Sequence, residues 1–177
     1  YFVNNYCPSC KSLPRSRLLH YSLKDFKKNK KILHVGPSKN EVMFVKANLN
    51  PLVYHTVDFI SNKLINKVQD ITKEGLQKDY YDLAIIWHVL EHIKEDSLAI
   101  SNLYSSLNGN GILIASVPIY PEGNLQTIEY NNVSKKDYDE LYGHSDHCRA
   151  CGYDYKNRFI KAGFKEVIDV DANKISE

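Results

Sequence analysis

The chain has 177 residues, 43% of them hydrophobic and 11% aromatic, and its 23 basic and 21 acidic side chains leave a formal charge of +2. That length and apolar content fit one domain with a real core, and they exclude disorder and low-complexity classes. A charge this small argues against nucleic acid as the main partner.

Residues 1–30 read as an N-terminal segment short on core pattern, carrying Cys7, Cys10, Arg15 and Arg17, with a solvated basic run over residues 24–31. The chain opens on Tyr1 with no hydrophobic signal segment, which points to a removed upstream piece. From residue 31 to 177 the pattern is that of one domain. Ile32–Val35, ending at Gly36, suits a buried parallel strand. Val42, Val45 and Leu49 have helical spacing over residues 39–49, and Leu52–Val57, closed by Asp58, is a second strand. Lys67–Gln69, followed by Asp70, is a short third strand. Asp82–Trp87 (DLAIIW) holds the longest apolar run, strand-sized and far below the roughly 18 residues of a membrane span. A helix is expected over residues 96–107, stopped by the Asn108–Gly111 turn (NGNG), and Ile112–Val117 is a strand stopped by Pro118. Residues 119–150 are irregular apart from a helical turn near residues 135–141. A helix over Tyr153–Ala162, capped by Gly163, precedes a last strand, Phe164–Val170. Strands alternating with helices imply an α/β fold, a doubly wound, mostly parallel sheet with helices on both faces.

In such a sheet ligands lie beyond the carboxyl ends of the strands, where strand order reverses. The residues there are informative. Gly36 lets backbone approach a ligand closely. The loop His34-Val35-Gly36-Pro37-Ser38 is not G-x-G-x-x-G, and Pro37 offers no amide, so a pyrophosphate-binding fingerprint is absent. Asp58 stands 22 residues beyond Gly36, where a carboxylate accepts from both hydroxyls of a ribose. Asp70 can accept from an exocyclic amine while Ile71 packs on an adenine face. Together these describe a nucleoside site without a pyrophosphate.

These pieces, with Cys7-Pro8-Ser9-Cys10, Ser12–Arg17 (SLPRSR), Lys31–Pro37 (KILHVGP), Asp70-Ile71-Thr72, Tyr81–Ile93 (YDLAIIWHVLEHI), Leu107–Pro118 (LNGNGILIASVP), Asp146–Arg149 (DHCR) and Gly152–Phe164, resemble a class I S-adenosylmethionine-dependent methyltransferase. The closest likeness is to a bacterial subgroup with an N-terminal C-P-x-C and S-x-x-R-x-R signature. The resemblance spans nearly the whole chain and implies a Rossmann-like fold; the single compact domain and mild charge point to a small-molecule oxygen or nitrogen acceptor. It implies that Gly36 contacts the methionine end of S-adenosylmethionine, Asp58 the ribose, Asp70 and Ile71 the adenine, and that His88 closes the pocket. The chain ends about where the family's usual final strand would appear.

His88, Glu91 and His92 follow i, i+3, i+4 spacing, which puts them on one side of a helical turn. With His147 or His144 they would suit a divalent metal that binds substrate oxygens. Otherwise Glu91 caps the helix and the histidines pack or touch cofactor. H-x-x-E-H also matches a metallopeptidase motif, but that motif needs a helix interior, and here a strand leads straight into His88. Cys7, Cys10, Cys148 and Cys151 form two C-x-x-C pairs with zinc-ligand spacing, which suits a reducing, cytoplasmic compartment. A zinc joining them would hold the DHCR loop over the site. In the long segment 120–149, Asp146 and His147 are candidates for a general-base pair, against a plain Asp146–Arg149 salt bridge. Two other classes stay open: a zinc-stabilised binding module without catalysis, and a metal-dependent hydrolase using His88, Glu91 and His92.

Overall fold

The apolar runs become strands. In the computed structural model, which describes residue 7 and residues 12–170, β1 (Lys31–Val35), β2 (Val53–Asp58), β3 (Lys67–Val68), β4 (Tyr81–Trp87) and β5 (Leu107–Ser116) form one sheet. Its order is β3-β2-β1-β4-β5 and every pairing is parallel. Parallel neighbours need crossovers. Between β1 and β2 this is α2 (Lys39–Leu49). Between β4 and β5 it is a 3-10 turn, Leu90–His92, followed by α3 (Asp96–Ser106). Helix α1 (Pro14–Leu23) precedes the sheet, and α4 (Tyr138–Tyr142) and α5 (Lys156–Ala162) follow it. Strand order runs away from β1 in one direction and from β4 in the other, so the switch point lies between them.

Strand side chains alternate between two cores. Leu33, Val35, Ala84 and Ile86 pack with Ile100 and Leu103 of α3 and with Tyr155. Ile32, Leu83, Ile85 and Trp87 pack with Leu19 and Leu23 of α1 and Val45 and Leu49 of α2. Burying each of these side chains contributes about 1.5–3 kcal/mol. Both faces are covered, which is why Leu83–Trp87 of β4 reads as an unbroken apolar run and Ile32–Val35 of β1 as one broken only by His34. Helix α2 starts where Ser38 and Glu41 cap each other: the Ser38 amide donates to the Glu41 carboxylate (2.8 Å) and the Glu41 amide to Ser38 Oγ (3.4 Å). It ends at Asn50, whose left-handed backbone (φ +42°) asparagine tolerates.

Three expectations need correction. Residues 14–23, read as part of an N-terminal segment without core pattern, form α1, begun by Pro14 and locked to the sheet by the Trp87 indole, which donates to the Arg15 carbonyl (3.0 Å). Asn108–Gly111 does not simply end a helix. Leu107 already pairs with Tyr81 and Ile112 with Leu83, so the four residues bulge within β5. Gly111 is required there, because a Cβ would lie 2.9 Å from the Tyr81 carbonyl. Phe164–Val170 is not a strand: Phe164 turns back under α3 onto Tyr104 (ring centroids 5.0 Å apart), while Ile168 and Val170 are exposed.

One buried group makes the fold acid-sensitive. His34 of β1 is fully buried, 2.9 Å from the Tyr54 hydroxyl through Nδ1, and burial pulls its pKa down to about 3. The folded chain keeps this imidazole neutral, whereas the unfolded chain protonates it below about 6.5. Its contribution is fully present above that value and is lost as pH falls from about 6.5 toward 3. Urea unfolding should therefore give a smaller free energy at pH 5 than at pH 7.5, and His34→Leu should flatten that difference. An unchanged slope in the variant would remove His34 as the cause.

Candidate functional site

A cavity of about 460 Å³ opens at the switch point, a size suited to a small ligand. Its walls include Val35, Gly36, Asp58, Phe59, Gln69, Asp70, Ile71, Thr72, His88, Val89, His92, Ile93 and Asp146. Gly36, Asp58, Asp70 and Ile71, proposed from sequence as a nucleoside site, thus share one cleft. The Gly36 amide donates to the Val57 carbonyl (2.8 Å), extending the β1–β2 ladder. Only glycine fits: its φ is +57°, and a Cβ would meet Val89 Cγ2 at 2.8 Å. Asp58 ends β2, and its Oδ1 accepts the local Ile60 amide (3.2 Å). Asp70 forms an Asx turn: the Thr72 hydroxyl (2.7 Å) and amide (2.9 Å) both donate to Oδ1, and these bonds hold its carboxyl below the ordinary range. Ile71 is buried beneath it.

His88 follows β4 with a left-handed backbone (φ +55°), uncommon for a residue with a Cβ. Its amide continues the sheet by donating to the Ser116 carbonyl (3.0 Å). Its Nδ1 lies 3.3 Å from Glu91 Oε1 and its Nε2 3.3 Å from Ser116 Oγ. The expected single helical turn carrying His88, Glu91 and His92 is therefore corrected. The 3-10 turn covers Leu90–His92, and His88 lies outside it. Helix-borne hydrolase geometry does not form.

The turn is held by the distant strip 146–149. The Arg149 guanidinium, 1% exposed, donates through Nη1 to the carbonyls of Leu90 and Ile93 (both 2.8 Å) and through Nη2 to that of Lys94 (2.9 Å). The Cys148 amide donates to the Glu91 carbonyl (2.8 Å) and its thiol to the His92 carbonyl (3.3 Å). Arg149 Nε also donates to Glu129 (2.7 Å) and its Nη1 lies 3.3 Å from Asp96, which accepts in turn from Tyr155 (2.6 Å) and Arg158. The expected Asp146–Arg149 bridge is thus replaced by Asp96 and Glu129.

The strip sets His147 beside His92 (ring centroids 4.8 Å apart), and one ligand atom each of Glu91, His92 and His147 lies within 4.8 Å of the others. His88 is not in that group. Nor do Asp146 and His147 pair as base and orienter: the Asp146 carboxylate is exposed 3.6 Å from Lys135, and His147 Nδ1 donates to the Tyr142 carbonyl (3.1 Å). Burial pulls the His147 imidazole below its ordinary value. Of the cysteines, Cys10 lies outside the described residues. Cys148 bonds His92, and Cys151 packs in the core, where burial pushes its thiol up to about 12. Among the described residues no cysteine joins a group of three metal-ligand side chains. Burial raises the Cys148 and Cys151 thiols, whereas zinc takes thiolates.

Sequence reasoning missed Phe59, Gln69, Thr72 and Val89 in the cavity wall. Phe59 was legible in principle: an aromatic directly after the strand-ending carboxylate, 73% exposed beside the cleft.

The family model described as Methyltransferase domain matches residues 11–167. No curated protein matches the sequence. Among solved structures, a candidate methyltransferase from Bacillus halodurans C-125 is similar (18% identity, TM-score 0.61) over 83% of this chain and 65% of its own, so this chain spans about two thirds of that relative's length. A Mesorhizobium loti S-adenosylmethionine-dependent methyltransferase (12%, TM-score 0.63) is similar over 85% of this chain and 81% of its own. Phosphoethanolamine N-methyltransferase 2 of Haemonchus contortus, in complex with phosphomonomethylethanolamine and S-adenosylhomocysteine (12%, TM-score 0.64), is similar over 86% of this chain and 37% of its own. At these identities the likeness shows the fold. No helix among the described residues is long and apolar enough to cross a membrane.

Removing Arg149 strands three carbonyls and takes one cationic partner from Asp96 and one from Glu129, both of which keep Arg158. Arg149→Met should lower the unfolding free energy by about 3–5 kcal/mol, as losing one partner of a buried pair does. Lys135→Ala, at the exposed Asp146 pair, should change it by under about 1 kcal/mol. Equal losses in urea titrations of the two variants would mean that burial of the guanidinium is not what matters.

Proposed function

The chain belongs to the methyltransferase domain family, and on that premise we propose that it binds S-adenosylmethionine and methylates an oxygen or nitrogen of a small-molecule acceptor. The observation that carries this reading is the shared cleft of Gly36, Asp58, Asp70 and Ile71 at the switch point. The residues fit the cofactor. At Gly36 a Cβ would fill the narrowest approach. The Asp58 carboxylate suits paired ribose hydroxyls, and Asp70 the adenine amine. Ile71 and the exposed ring of Phe59 offer apolar surface for an aromatic face.

When bound, the cofactor supplies a methyl group on a positively charged sulfur. The acceptor's lone pair forms the new bond to that carbon as the carbon–sulfur pair returns to sulfur. The protein's part is to align the three atoms and keep water out. His88 stands at the end of β4 on the cavity wall, with Glu91 orienting its Nδ1. In this reading it takes the acceptor's proton at Nε2. Asp146 lines the same cavity and His147 stands behind it, so neither acts as the pair expected from sequence. The relative whose structure holds S-adenosylhomocysteine supports this cofactor class. The single glycine after β1 favours the second reading, a binding module that kept the fold without the cofactor.

Calorimetry separates the two. The chain should release or absorb heat with S-adenosylmethionine, and Asp58→Ala should weaken binding by about 1–3 kcal/mol, the worth of a charged hydrogen bond. Silence with both S-adenosylmethionine and S-adenosylhomocysteine would leave only the module.

A further inference from the structure

We propose that Glu91, His92 and His147 form a binding site for one divalent transition-metal ion at the edge of the cavity. Three independent observations carry it. First, one ligand atom from each residue lies within 4.8 Å of the other two. Bonds of about 2.0–2.2 Å to one ion would draw such atoms to roughly 3.3 Å apart, a closure of up to about 1.5 Å. Second, Glu91 is 1% exposed, and while its Oε1 faces His88, its Oε2 has no hydrogen-bond partner. An oxygen orphaned in this way costs the full desolvation of a charged group. A cation would offset that cost.

The third observation concerns which nitrogens are free. His92 Nδ1 lies 3.1 Å from the Asp146 carbonyl and His147 Nδ1 lies 3.1 Å from the Tyr142 carbonyl. A carbonyl only accepts, so both rings carry their proton on Nδ1 and present the lone pair on Nε2. That is the tautomer a metal-bound histidine adopts when a backbone carbonyl holds its far nitrogen. His144 is different: its Nδ1 accepts the Asp146 amide (3.2 Å), so its Nε2 holds the proton and it is not a ligand as it stands.

Two imidazoles and one carboxylate, with no thiolate, select zinc, cobalt, manganese or iron over calcium or magnesium. Three protein ligands leave at least one coordination position open. His92 also lines the cavity, so that position faces the acceptor side. There the ion would bind an acceptor oxygen and ease loss of its proton, a role that rests on the methyl-transfer reading above; the site itself does not.

Cobalt(II) tests the site directly. Added to the chelator-stripped full chain, it should bind one equivalent, give visible d–d absorption without a near-ultraviolet thiolate band, and be displaced by zinc. His147→Ala and His92→Ala should each weaken binding at least tenfold. Circular dichroism melting shows whether each variant is folded, and either folded histidine variant suffices. No cobalt binding, wild-type affinity in a folded histidine variant, or a thiolate band lost in Cys148→Ser would overturn the proposal. Calorimetry with S-adenosylmethionine on the same samples keeps the two readings apart. Cobalt bound and lost in His147→Ala, with no heat from S-adenosylmethionine, would leave the metal site standing and the methyl-transfer reading fallen.

Discussion

Five consecutive carbonyls, from Leu90 to Lys94, point at two residues more than fifty positions away. Arg149 takes those of Leu90, Ile93 and Lys94, and Cys148 takes those of Glu91 and His92. The short 3-10 turn gives the Leu90 carbonyl an internal partner in the Ile93 amide (3.2 Å), but most of these groups lie beyond its ladder and out of water must find others. A guanidinium is suited to this, because its planar fork offers five donors and never loses its charge. Its Nε donates to Glu129, and Asp96 lies 3.3 Å from Nη1, so the buried charge is paired as well as bonded. The strip 146–149 is thereby laid along the turn in one register. That register puts His147 beside His92, and Asp146 on the cavity wall.

The opposite wall rests on backbone conformation. Gly36 and His88 end adjacent parallel strands, and both have left-handed backbones. Each still donates its amide into the ladder, Gly36 to Val57 and His88 to Ser116. The chain therefore turns out of the sheet at once, and the space between the two turns is the cavity. For Gly36 the conformation is cheap and a side chain is barred by Val89. For His88 it costs on the order of 1 kcal/mol or more, offset by the contacts of its ring with Glu91 and Ser116. That left-handed turn sets the His88 imidazole on the cavity wall.

What the sequence disclosed follows the same division. Parallel strands buried on both faces are mostly apolar, so β1 and β4 are legible despite His34, and β2 despite His55 and Thr56, and the residues just after them follow from topology alone. Helix α1 was not, because its buried face rests on only a few residues, chiefly Leu19 and Leu23, in a stretch otherwise polar. The cysteine spacing suggested a metal clip because spacing is all that sequence offers. In the fold, Cys151 goes to the core and Cys148 to a carbonyl. Arg149 was read against its near neighbour Asp146, whereas its carboxylates come from α3 and from residue 129. Long-range pairing of this kind leaves no local pattern, so the histidine near the DHCR strip could be named, but its partners only partly.

The two halves of the cavity thus depend on different kinds of order. The Gly36, Asp58 and His88 positions are fixed by strand ladders inside a sheet covered on both faces, which local changes elsewhere hardly disturb. The His92 and Asp146 positions hang on a network of charges and carbonyls contributed by segments distant in sequence, where losing one member unseats the rest. On the methyl-transfer reading the first half holds the donor, which every member of such a family must bind alike, and the second meets the acceptor. Methyl transfer asks for alignment to within a fraction of an ångström and little covalent help. On that reading the sheet that sets the donor's position does not pass through Arg149, so donor and acceptor are held by separate interactions.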